Sequence, residues 1–251
     1  MTQLSYQLYS SRLNPPLADT LRMLSDIGYT YVEGYGALVE DGDAMDALEQ
    51  GLQATGLTMP TCHVGLDMCE ADADAVIATA QRFGIETIVI PFIMPADRPT
   101  DAHGWRGFGG RLAAVAKRLG DAGVKLAYHN HDFEFAALPD GTLPIDLILA
   151  EAPSVLFEYD VAWAVRADAD PFAPIERFGN RIEIAHLKDI APPGEAMDED
   201  GWADVGHGTM DWAGLLAALK AAGTRFFVAE HDKPSDHHRF AQRAFTSAQT
   251  L

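Results

Sequence analysis

KLAYHNHDFEF (residues 125–135) passes from an apolar run into histidines and carboxylates. Three later stretches repeat the pattern: VLFEYDV (155–161), IEIAHLKD (182–189) and FFVAEHD (226–232). A short apolar run bounded by polar residues reads as a buried strand. Each of these runs ends in side chains that bind metals or move protons. Four such endings over about half of the chain imply one site assembled from several parallel strands. That is the arrangement of a barrel enzyme with a divalent metal.

Working outward, further strands are expected over 4–9, 29–34, 56–64 and 85–93. The opening four stretches supply strands over 124–130, 155–160, 181–188 and 225–230. Apolar residues at helical spacing predict helices over 17–27, 43–54, 71–83, 105–122, 144–150, 171–178, 211–221 and 236–248. Gly28, Gly56, Gly84, Gly123, Gly179 and Gly223 each stand between a helix and a strand, where a left-handed cap is expected. Eight strands alternating with eight helices at about 30 residues per unit predict a single (β/α)₈ TIM barrel of class α/β over residues 1–251. An open doubly wound sheet is the alternative, but no G-x-G-x-x-G follows the first strand. The glycine-rich Gly104–Gly110 (GWRGFGG) is expected to be a mobile segment over the site.

Eighteen Lys plus Arg stand against 37 Asp plus Glu, a formal net charge of −19. Such a surface repels phosphate backbones and anionic membranes, so neither nucleic acid nor membrane is an expected partner. Cys62 and Cys69 make no disulfide framework or zinc knuckle and read as reduced core thiols. There is no basic start followed by a long apolar core, and no apolar run of 18 residues, so a cytoplasmic protein is expected. Barrels of this kind often pair, so a homo-oligomer is admitted, although no exposed apolar patch is legible.

The strand ends carry Glu33, His63, His129, His131, Glu134, Asp160, His186, Lys188 and Glu230. Buried carboxylates are costly unless paired or metal-bound. Asp160, His186, Glu230 and Glu134 are therefore expected to ligate one divalent ion, Mn²⁺ first, with Mg²⁺, Co²⁺ or Zn²⁺ as alternatives. Within HNHDFE the choice between Glu134 and His129 is open. A bound ion polarises a carbonyl, so that a Glu or His beside it can remove the α-proton. Glu134, Glu230 and His131 are the candidates, with Lys188 stabilising the enediolate oxygen. Glu33, His63, His129, Trp105, Trp163 and His207 are expected to contact substrate. His207 comes from the DVGHGT loop, whose glycines allow close backbone approach.

The motifs YHNHDFEF, Tyr159-Asp160 with Trp163, HLKD, DVGHGTMDW and EHD together resemble the xylose-isomerase-like superfamily of (β/α)₈ barrels, the sugar phosphate isomerases/epimerases. The resemblance covers nearly the whole chain and is nearest to the subgroup of inosose dehydratases and 3-keto-glycoside-processing enzymes. It implies a fourfold ligand set of Glu, Asp, His and Glu, the last three falling on Asp160, His186 and Glu230. The strand-five Glu of the ketose epimerases is not matched, because Tyr128-His129 stand there and Glu134 lies further on. The expected function is a metal-dependent isomerase, epimerase or dehydratase (lyase) acting on a small keto-sugar, sugar phosphate or keto-inositol. The alternatives are a metal-dependent phosphodiester hydrolase and a non-catalytic carbohydrate-binding barrel.

Overall fold

A computed structural model describes residues 4–250. Eight parallel strands close into a barrel: β1 (Leu4–Gln7), β2 (Tyr31–Gly34), β3 (Thr58–His63), β4 (Thr87–Ile90), β5 (Lys125–His129), β6 (Leu156–Asp160), β7 (Ile182–Leu187) and, after a small hairpin, β10 (Phe226–Ala229). The order β1-β10-β7-β6-β5-β4-β3-β2 makes each strand the neighbour of the next in sequence, and β1 pairs with β10 to close the ring. The hairpin is β8 (Asp189–Ile190) with β9 (Trp202–Ala203), antiparallel.

The helices follow the expected apolar spacing. They are α1 (Leu17–Ile27), α2 (Gly42–Thr55), α3 (Leu66–Ala71), α4 (Ala73–Phe83), α5 (Ala102–Gly120), α6 (Pro144–Glu151), α7 (Val161–Arg166), α8 (Ala173–Phe178), α9 (Trp212–Ala222) and α10 (His237–Thr250). Asp41, Asp72, Asp101 and Asp211 cap α2, α4, α5 and α9 by accepting backbone N–H bonds. Part of the acidic excess is thus used where helix termini favour negative charge.

Two expectations change. Gly104–Gly110 is not mobile loop; it lies within α5. Gly109 is small because α6 packs there: a Cβ would stand 2.8 Å from Cβ of Glu151 and 2.9 Å from the Ile148 carbonyl oxygen. Gly179, expected as a left-handed cap, has φ −50°. Its lack of a side chain instead admits Ala222, whose Cβ would be 2.9 Å from an added methyl. The other five interstrand glycines do adopt positive φ.

Side chains on a strand alternate between its two faces. The outward faces pack the main core against the helices, whereas Val89, Ala127, Ile184, Phe226 and Val228 form a small separate cluster. Moving two residues along from Ala127, Ile184 and Val228 gives His129, His186 and Glu230. The apolar cluster and the polar site are therefore successive layers of one barrel interior. Cys62 and Cys69 are free and buried, as expected.

Candidate metal centre

Register fixes which side chains meet. His129 pairs with Glu158, Asp160 with His186, and Val228 with His186, which places Glu230 one layer above. All of these are buried at the C-terminal end of the barrel. Two groups of potential ligand atoms result, each with its atoms within 4.8 Å of one another: His129, Asp160, His186 and Glu230, and His63, His129, Glu158 and His186.

Hydrogen bonds orient the members. Asp160 caps α7 with one oxygen, accepting from the Trp163 N–H at 3.0 Å, while its Oδ2 makes no hydrogen bond. Lys188 Nζ stands 3.2 Å from that oxygen, 2.9 Å from Glu230 and 3.1 Å from Asp232. The His186 ring lies between Glu230, 2.9 Å from Nδ1, and Glu33, 2.8 Å from Nε2. Gln7 donates to the same Glu33 oxygen at 2.9 Å. His63 Nε2 is 2.7 Å from Glu158 and 3.2 Å from Glu33.

Burial drives the His129 pKa well down and the nearby His186 charge adds to this, so the ring is neutral. With Nδ1 bonded to Glu158 at 2.9 Å, its Nε2 lone pair remains for a metal. Burial acts against the proton on His186 too, but Glu158, Glu230 and Glu33 outweigh it and raise that pKa. His186 must lose a proton to ligate, so metal binding releases protons. Burial likewise opposes charge on Glu230, yet Lys188 and His186 hold its carboxyl well below the usual range.

The donor set fits a divalent ion. Two imidazoles and two carboxylates suit a first-row transition metal. Glu33 Oε2 and Glu158 Oε1 are also buried without a hydrogen-bond partner. Five carboxylates (Glu33, Glu158, Asp160, Glu230, Asp232) face Lys188 and at most two imidazoliums, those of His63 and His186. A doubly charged cation removes that excess.

A pH dependence follows for the metal-free protein. Burial disfavours the His63 imidazolium, but Glu158 and Glu33 raise its pKa from 6.5 to about 10. Burial and Glu33 push Glu158 up, but His186 and His63 bring it from 4.5 to about 2. The sign differs for the two partners. The histidine contribution is complete below pH 6.5 and is lost as pH rises towards 10; the carboxylate contribution is complete above pH 4.5 and is lost as pH falls towards 2. Urea unfolding in the presence of chelator should show stability declining through the alkaline window, and His63→Gln should shallow that decline. An undiminished decline in the variant refutes the pairing.

Several expected residues take other places. Glu134, expected as a ligand, belongs to neither group. It is buried one turn beyond β5, accepting from the Tyr128 hydroxyl and, at 2.8 Å, from the His131 N–H. Burial raises its pKa to about 7 against those bonds. The strand-five member of both groups is His129. Trp105 is buried against Phe108 and Phe133 and packs the core. His207 is exposed and does not line the cavity. Its loop serves Asp189, whose carboxylate accepts from the N–H groups of Ile190, Gly206, Gly208 and Met210. Gly208 is glycine because a Cβ would collide with that carboxylate.

His131 lines the cavity, and burial, then Lys188, lower its pKa to about 3. Trp163 stands 5.1 Å from the His131 ring and 5.3 Å from Lys188 Nζ. Glu158, Gln7 and Asp232 were not singled out from sequence. Glu158 lay on the same strand face as Asp160, two residues earlier, and that period-two signal was available.

The cavity has a volume of about 480 Å³ and reaches from His63, His129, His131 and Glu230 out to Tyr9, Tyr35 and Phe92. Among the described residues no helix is long and apolar enough to cross a membrane.

A curated relative, the rhizopine catabolism protein MocC of Rhizobium meliloti, is 26% identical over 148 residues, which are 53% of this chain. The match spans only 45% of that relative's length. A sugar phosphate isomerase/epimerase of Parabacteroides distasonis superposes with a TM-score of 0.83 at 19% identity, covering 100% of this chain and 94% of that one. The IOLI protein, solved with a zinc atom bound, gives 0.76 at 18% identity, covering 99% and 96%. These structures share the fold. A sequence profile matches residues 21–248, nearly the whole of the barrel, and the chain belongs to the xylose isomerase-like TIM barrel family.

Proposed function

We propose that the protein is a divalent-metal-dependent isomerase or epimerase, or a related dehydratase, acting on a small keto-sugar or keto-inositol. The observation that carries this reading is the convergence of His129, Asp160, His186 and Glu230 beneath a cavity lined by further proton-transfer groups. Mn²⁺ is the proposed ion, with Mg²⁺, Co²⁺ and Zn²⁺ as alternatives; the zinc in the IOLI structure supports a metal at this place in the fold. When bound, the ion polarises a carbonyl and its neighbouring hydroxyl.

The chain's own residues supply the remaining chemistry. Glu158 or Glu230 accepts the proton from carbon α to the carbonyl, leaving its electron pair shared with the carbonyl oxygen. Lys188 donates a hydrogen bond to the oxygen where that charge gathers. Return of the proton to the opposite face gives an epimer, and return to the adjacent carbon gives an isomer. If His63 instead protonates a departing β-hydroxyl, water leaves and the reaction is a dehydration. Neutral His131 orients a substrate hydroxyl, and Glu33, held by Gln7 and His186, fixes His63.

The test is deuterium exchange. Protein loaded with each of the four metals is incubated in D₂O with ketoses, inososes and 3-keto-glycosides, and proton NMR follows the carbon beside the carbonyl. One bound metal and exchange on at least one substrate are expected. Bound metal with no exchange on any of them favours a carbohydrate-binding barrel. Two or more metals per chain with phosphodiester cleavage favour a hydrolase.

A further inference from the structure

The cavity changes character along its depth. Its floor is titratable: His63, His129, His131, Glu230 and Asp232. Its outer wall is formed by Tyr9, Tyr35, Pro91 and Phe92. The exposed large hydrophobic residues among those described are Tyr9, Leu13, Phe92, Met94 and Met197. Every one lies in a segment that leaves the C-terminal end of the barrel, after β1, after β4 or within the β8–β9 hairpin. Apolar side chains gathered at one rim, and nowhere else on the described surface, mark a contact surface rather than scattered exposure.

The rings are held in place. Tyr9 meets Tyr35 edge-on at 5.4 Å, and the Arg12 guanidinium sits 3.8 Å from the Tyr9 ring centroid. Phe92 meets the His131 ring edge-on at 4.8 Å, with Arg98 5.1 Å away. The nearby cations are already engaged. Arg12 donates to the carbonyls of Tyr9 and Asp232 at 2.9 and 2.7 Å, Lys233 pairs with Asp200 at 3.3 Å, and Arg98 donates to the Ile93 carbonyl at 3.0 Å. Asp200 and Asp232 line the same mouth and repel an anion. A volume of about 480 Å³ lies in the range for drug-sized ligands and exceeds what a lone sugar ring needs.

We propose that the outer half of this cavity is a subsite for a neutral ring joined to the sugar, so that the ligand is a glycoside rather than a free or phosphorylated monosaccharide. This rests on the sugar-binding reading of the floor. The shared chemistry of the occupant is a flat apolar face, offered either by an aryl group or by a second pyranose, and it stacks between Tyr9 and Phe92.

The test measures affinity calorimetrically on the metal-loaded full chain with four probes: methyl β-D-glucopyranoside, phenyl β-D-glucopyranoside, cellobiose and glucose 6-phosphate. The phenyl glycoside or cellobiose should bind about five- to tenfold more tightly than the methyl glycoside, as one added aromatic contact allows. Which of the two is tighter identifies the ring. Phe92→Ala and Tyr9→Ala should each remove most of that preference. Equal affinities, no measurable binding of either ring-bearing probe, tightest binding of the phosphate, or a preference that survives both substitutions overturns the subsite. Deuterium exchange on free keto-sugars is read separately. Exchange without a ring preference sinks the subsite alone, and a ring preference without exchange sinks the enzymatic reading alone.

Discussion

Glu230→Gln should lower divalent-metal retention by about two orders of magnitude or more, and turnover with it. Even groups that only orient a ligand are typically worth about 10- to 100-fold in metal affinity, so loss of an anionic ligand lies at or beyond the top of that range. Glu230 is held by two cations, with its Oε2 2.9 Å from His186 Nδ1 and 2.9 Å from Lys188 Nζ. The amide keeps the shape and removes the charge. His186 then loses one of the carboxylates that turn it towards the site. Metal content after dialysis against a competing chelator, together with the exchange rate on substrate, reads both effects. Wild-type metal content and rate would falsify the assignment of Glu230. The metal-free variant should unfold only modestly more easily, because Lys188 retains Asp160 and Asp232 as partners.

Lys188→Met should separate metal binding from turnover. Lys188 is fully buried, and burial acts against its charge, but Asp160, Asp232 and Glu230 more than compensate and raise its pKa. Removing the one cation leaves three carboxylates facing one another. Breaking such a buried arrangement costs about 3–5 kcal/mol. Bound metal offsets that repulsion, so the stability gap between metal-free and metal-loaded protein should widen in the variant. Turnover should fall by about 10²- to 10³-fold, the usual effect of losing a donor aimed at developing negative charge. Denaturant melts with and without metal, beside the catalytic rate, check both parts. Loss of the metal itself would show that Lys188 organises the ligands rather than acting on substrate.

Much of this was legible in the chain because barrels are built from local regularities. The period of the apolar residues, together with glycine after most helices, located all eight barrel strands to within a few residues. Asp160, His186 and Glu230 were legible because each closes an apolar run. Glu158 was missed because it sits inside such a run, where an acidic residue reads as an interruption unless strand faces are counted separately. Helix α7 was missed because it begins at Asp160 itself, immediately after β6, with no intervening turn residues. Glu134 was expected to be a ligand because its chemistry suits one. Whether a carboxylate two to five residues past a strand turns inward depends on the turn it enters, and here Tyr128 and the His131 backbone capture it.

The sequence by itself determined the barrel and the end of it that carries the chemistry, since period-two and period-3.6 patterns are properties of neighbouring residues. It also determined the chemical class of the site, because carboxylates and imidazoles at the ends of buried strands need a cation. Only the tertiary structure decided which of them meet. Strand register and barrel closure bring Glu33, His63, Glu158 and His186 within bonding distance although they are separated by up to 153 residues. The same closure left Glu134, Trp105 and His207 outside, and placed Tyr9 and Phe92 on one rim. Those outcomes depend on the three-dimensional ring, which no local stretch of the chain encodes alone.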